Sequence, residues 1–156
     1  MKRVLVLIVT HAAALAAGFA LGIYLLPILI APAAPTAAEV AQKAAAATFT
    51  AEFRRDLKDS DLFHWGEGRV TVGKDAVTLV GALAPGPDYK LYLSPEFVET
   101  EADFLRLKPR MARVGDVKTF DNFVIPVPAG IDPAAYSAVV VWCERFGQFI
   151  TAARYR

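Results

Sequence analysis

One cysteine and one histidine hold most of the reactive chemistry beyond the apolar N-terminal segment. The cysteine is Cys143, in the stretch AVVVWCERFGQF at residues 138–149. A free thiol is a nucleophile, a redox group or a soft ligand, and its reactivity follows the fraction present as thiolate. Glu144 and Arg145 follow it directly. If strand alternation runs on past Cys143, Arg145 shares its face, and a guanidinium there favours the thiolate. Without that help, Cys143 reads as a small buried hydrophobe. The histidine is His64, in FHWGEG, just ahead of two glycines that permit close backbone approach. Such an imidazole can ligate a metal or haem iron or carry a proton; its plainer use is to bond a loop carbonyl. Met111, between Arg110 and Arg113, offers a thioether as an axial ligand opposite His64. Its spacing does not require this, and packing beneath a loop is the simpler reading.

Several chemistries are excluded. A single cysteine forms no intramolecular disulfide, and one Cys with one His does not complete a zinc site. The chain has no glycine-rich phosphate loop, no GxSxG and no HExxH, and no nucleophile–base pair supports a hydrolase. DLKDSD (56–61) alternates acids like a calcium loop but lacks the glycine and the distal glutamate, so it reads as a solvated turn. The net charge is +1, and no basic patch is interleaved with aromatics, so nucleic acid is not a partner. Glu96, Glu99, Glu101 and Asp103 form an acidic run that reads as a hydrated loop. Together with Tyr89 and Tyr92, taken as exposed, it offers a surface for a protein partner.

The elements that must position these groups begin with a membrane segment. Lys2 and Arg3 precede Val4–Ile30, which contains no Asp, Glu, Lys or Arg. As a helix, about 27 residues rise roughly 40 Å, enough for a hydrocarbon core of about 30 Å. A cleaved signal peptide has an apolar region of only about 7–15 residues, so residues 1–31 are expected to be an uncleaved transmembrane signal-anchor, with membrane contact through 4–30. The positive-inside rule keeps Lys2 and Arg3 in the cytoplasm and sends the rest to the periplasm or exterior. His11 lies near the cytoplasmic end with only Thr10 as a polar neighbour. Gly18 and Gly22 give a small-xxx-small spacing common in such spans.

Residues 32–47 form an Ala/Pro-rich linker. Thr36 and Glu39 make a capping box for a short helical spacer with little to bury. From 48 to 156 the pattern is that of strands: TFTAEF; the hairpin RVTV–GKD–AVTLV; YKLYLS with Tyr89, Leu91 and Leu93 on one face; FVIPV; YSAVVVWC; and FITAARY. The run 138–143 is apolar on both faces, Cys143 on one and Trp142 on the other, as suits a central strand covered twice. Residues 95–117 read as a loop or one helical turn, and no internal helix is convincing. The expectation is an all-β antiparallel sandwich of about seven or more strands behind one N-terminal transmembrane helix.

Four stretches in this order carry a family resemblance: LFHWGEGRVTV, PGPDYKLYLS, FVIPVPAGIDPAAYSAVVVWCERFGQF and AARY. The chain resembles the DM-thirteen domain, the electron-transfer module of Skeletor-type proteins, over about residues 48–156. The resemblance implies an all-β fold and a redox role around the family's cysteine, through a bare thiol or a bound group such as haem. Cys143 matches that cysteine and His64 the histidine. Trp65 after the histidine and Arg-Met-Ala-Arg after Pro109 depart from the family pattern. The resulting expectation is a membrane-anchored extracytoplasmic redox module. Cys143 is its redox-active or cofactor-binding residue, His64 a second ligand, Trp142 a wall, and its partner an envelope redox protein. The alternative is a non-enzymatic envelope protein-binding module. The redox expectation requires His64 and Cys143 at the same end of the sandwich.

Overall fold

The computed structural model describes all residues, 1–156. A 29-residue helix, α1 (Lys2–Ile30), is followed by α2 (Ala37–Ala44), α3 (Glu101–Leu107) and eight strands. The strands are β1 (Phe49–Phe53), β2 (Gly66–Val72), β3 (Ala76–Leu83), β4 (Tyr89–Ser94), β5 (Ala112–Val117), β6 (Asp121–Pro126), β7 (Ala138–Cys143) and β8 (Gln148–Arg154). They form two four-stranded antiparallel sheets, ordered β1-β2-β3-β6 and β5-β4-β7-β8. The expected all-β sandwich behind a long apolar helix is therefore the observed architecture.

Alternation builds the core between the sheets. Val70 and Val72 of β2, Val77 and Leu79 of β3, and Phe123 and Ile125 of β6 face Tyr89, Leu91 and Leu93 of β4 and Val139, Val141 and Cys143 of β7. The hairpin has the predicted turn, with Val72 opposite Val77. β7 lies between β4 and β8, and all six of its residues are buried. Its outer side chains, Val140 and Trp142, join Tyr92, Phe149 and Ala152 in a second core sealed by Phe104 and Leu107 of α3.

The stretch 95–117 differs most from its expectation. It contains both α3 and a strand. Thr100 caps α3, its hydroxyl accepting from the Asp103 amide at 3.1 Å, with Glu101 and Asp103 in the first turn and Arg106 in the last. A seven-residue helix shows one turn of apolar spacing, too little to read as a period. β5 hides for another reason: its buried residues are Val114 and Val117, three apart, because its pairing with β4 shifts register between Leu91 and Tyr92. That irregularity breaks the two-residue period a strand is recognised by.

Tyr89 and Tyr92 are not exposed; both are buried. Tyr89 points between the sheets, and Tyr92 points under α3. The Thr36–Glu39 capping box is present, and α2 buries Val40 completely. Asn122 donates from Nδ2 to the Pro35 carbonyl at 3.1 Å, tying the start of α2 to β6.

Candidate functional site

The end of β7 is gripped by the loop 85–88. The Cys143 thiol donates to the Pro87 carbonyl at 3.0 Å, and the Glu144 amide donates to the Asp88 carbonyl at 3.1 Å. Gly86 packs against the Tyr89 hydroxyl, and a Cβ there would displace the ring. On the other side the loop 58–64 holds His64. Asp61 accepts from the backbone N–H of Phe63 at 2.7 Å and of His64 at 2.8 Å, and its other oxygen lies 2.9 Å from His64 Nδ1. Two of the three acids of DLKDSD thus accept from backbone amides: Asp59 likewise accepts from the Glu101 amide at 2.6 Å. No cluster of three or more His, Cys, Asp or Glu side chains has the geometry of a metal site.

The two loops and the end of β7 frame one cleft of about 510 Å³, lined by Phe63, His64, Tyr89, Cys143, Phe146 and Tyr24 of α1 among others. That volume lies in the range of small-molecule sites. His64 and Cys143, 79 residues apart in the chain, line the same cavity.

The electrostatics of the two groups differ. Burial acts to raise the Asp61 carboxyl, but the His64 ring and the amides of Phe63 and His64 outweigh it and hold it below its ordinary value. A carboxylate on Nδ1 places the proton there and leaves Nε2 as the free lone pair, the arrangement that commonly orients metal-ligating histidines. Burial raises the Cys143 thiol above its ordinary value. Amides of Phe146 and Arg145 act against that rise without cancelling it, and the charges of Asp88 and Glu144 add to it. Arg145 does not supply the expected activation: β7 ends at Cys143, the chain turns, and the Arg145 side chain is exposed to solvent.

Trp142 lies on the opposite face of β7 from Cys143 and does not line the cleft. Its ring stacks on Phe104 with centroids 3.9 Å apart and planes 10° apart, and its Nε1 is buried without a partner. Met111 packs against the same outer cluster, away from His64. The sequence reading missed Tyr89, Phe146 and Tyr24 as cleft residues. Tyr89 was legible as a strand residue, but only the folded loops show that it floors a cavity.

The family model described as "Electron transfer DM13" matches residues 53–155, about two thirds of the chain. No curated protein and no solved structure matches it.

Proposed function

Since the chain belongs to the electron transfer DM13 family, we propose that it is a membrane-anchored electron-transfer module whose redox centre is a group bound in the His64–Cys143 cleft. The observation that carries this is that His64 and Cys143, the two residues the resemblance points to, line one cavity. α1 is long and apolar enough to cross a membrane. With Lys2 and Arg3 on the cytoplasmic side, the sandwich lies in the periplasm or outside the cell.

The residues suit a haem at one end of the cleft. Nε2 of His64 would be the ligand, with Asp61 fixing the ring, and Phe63, Phe146 and Tyr89 would supply apolar surface beside it. A haem bound there supplies the one-electron couple. Cys143 fits a different role. As a protonated thiol bonded to the Pro87 carbonyl it closes the cavity floor; a thiolate ligand would have to give up that bond. The alternative is a protein-binding module; against it stands that three of the four acids in the acidic run already have cationic neighbours within the chain. Glu96 meets Arg106 and Arg110, Glu99 meets Lys58, and Asp103 meets Arg106.

The test is a haemin titration of the full chain in detergent micelles. The expected result is a Soret shift that saturates at one equivalent and is lost in His64→Ala but kept in Met111→Leu. A Soret band that stays at the micellar haemin position, or shifts equally in His64→Ala, overturns the reading. An impermeant protease added to spheroplasts, whose cytoplasmic membrane is sealed, tests the orientation: the sandwich should be digested from outside that membrane.

A further inference from the structure

The cleft end of the sandwich carries large apolar side chains with nothing of the domain over them. Leu62 is 79% exposed, Phe63 57% and Phe146 48%. Phe63, on the loop that holds His64, and Phe146, in the turn after Cys143, line the cleft, and the exposed Leu62 precedes Phe63 on the same loop. Contiguous apolar surface of this kind marks an interface.

What covers it is indicated by α1. Phe63 meets Tyr24 edge-to-face, with ring centroids 6.4 Å apart, and Leu21 and Ile23 also face the cleft. Tyr24 lies six residues before the end of α1, about 9 Å along the axis. Apolar groups that rest in a bilayer interface reach about 5–10 Å into it, so the rim meets the helix at the matching depth. The helix has length to spare. Its 29 residues span about 43 Å, against a hydrocarbon core of about 30 Å. The surplus brings Tyr24 toward the headgroup boundary, where tyrosine is enriched. Beside Phe146, Arg145 is exposed and in no ion pair, a cation free for lipid phosphate.

We propose that this rim docks on the bilayer that α1 crosses, with Leu62, Phe63 and Phe146 seated in the headgroup–acyl boundary and the His64–Cys143 cleft opening onto it. This rests on the membrane anchoring proposed above and not on the identity of the bound group. The sandwich is then held against the membrane at two points, its covalent anchor and its apolar rim, and does not swing on the 31–36 connection.

The test uses the full chain in vesicles of phosphatidylethanolamine and phosphatidylglycerol. An environment-sensitive nitrobenzoxadiazole label is attached at Leu62→Cys or Phe146→Cys in a Cys143→Ala background. Lys74→Cys, in the β2–β3 turn at the far end of the strands, is the reference. Brominated lipid should quench the labels at 62 and 146 several-fold more than the label at 74, and their emission should move to the blue. Equal quenching at all three positions overturns the docking. Circular dichroism checks the fold of the background, and Cys143→Ser replaces Cys143→Ala if the latter unfolds. Flotation separates the two readings. A chain that floats with the vesicles but shows no extra quenching keeps its anchor and loses the docked rim, whereas a chain that does not float overturns both.

Discussion

Two aromatic clusters flank the last residues of β7, and they are finished in opposite ways. On the outer face, Trp142, Phe104 and Tyr92 are buried beneath α3. A polar lid closes that cluster: Glu144 accepts from the Tyr92 hydroxyl and, at 2.7 Å, from Lys108, whose ammonium also lies 5.7 Å from the Phe104 ring. On the inner face, one residue further along, Cys143 shares a cleft with Tyr89, Phe63 and Phe146 that Leu21, Ile23 and Tyr24 of α1 also line, and no Asp, Glu, Lys or Arg closes it. The outer cluster uses its aromatics for stability. The inner one buries Tyr89 and Cys143 but leaves Phe63 and Phe146 about half exposed beside the cavity. On the function proposed above, the inner side is the one that binds.

Substitutions separate the two clusters most sharply by stability. Phe104→Ala should cost about 3–5 kcal/mol, the usual cost of emptying a buried aromatic site, while Phe63→Ala should stay within about 0.5 kcal/mol. Thermal unfolding of both variants measures the gap; similar losses would erase the contrast. Next in size, Asp61→Ala removes the acceptor for two loop amides and His64. It should cost about 1–2 kcal/mol, as loss of a cap does, and should weaken haemin uptake, whereas Asp61→Asn should recover part of the stability.

The lid supplies a smaller, pH-dependent effect. Burial acts to raise the Glu144 carboxyl, but Lys108 and Tyr92 outweigh it and hold it below its ordinary value. A lowered folded-state pKa contributes stability above the carboxylate's ordinary value and loses it as pH falls through the folded value. Lys108→Met should therefore cost about 1 kcal/mol near neutrality, in keeping with a pair that is only partly buried. It should also flatten the acid limb of a melting-temperature profile.

The smallest effect lies at Cys143. Its raised pKa means the unfolded thiol ionises first, so its contribution to stability is present below the unfolded value of about 8.5 and is lost as pH rises toward the folded value. Cys143→Ala should remove that share of the alkaline decline, leaving the buried tyrosines' share in place. In the native chain near neutrality, a thiol reagent should label Cys143 at least about tenfold more slowly than in urea, since the thiolate is the reacting form. Equal rates would place the sulfur in an activated, open setting.

Individual strands were legible where each residue's surroundings repeat every second position. Phe49–Phe53, the 70–79 hairpin, Tyr89–Ser94 and Ala138–Cys143 show that period, and the doubly apolar run at 138–143 announced a strand covered on both sides. β5 was not legible, because its bulge against β4 spaces its buried valines by three. Nor was the burial of Tyr92, since a polar-looking strand face does not reveal that a seven-residue helix will lie on it. At the site, His64 and Cys143 stood out by rarity alone. The activation expected from Arg145 failed because alternation ends where the strand ends.

What the sequence determined by itself is local or compositional. Twenty-seven residues without a full charge make an apolar helix, two-residue alternation makes strands, and one cysteine precludes a disulfide. What only the tertiary structure decided is which distant residues meet. The antiparallel order β4-β7-β8 and the grip of the 85–88 loop set Cys143 across from a histidine held by Asp61. The same packing turned Trp142 away to the other side of the strand. Pairing across 79 residues is set by the global fit of two apolar faces, and no local period encodes it.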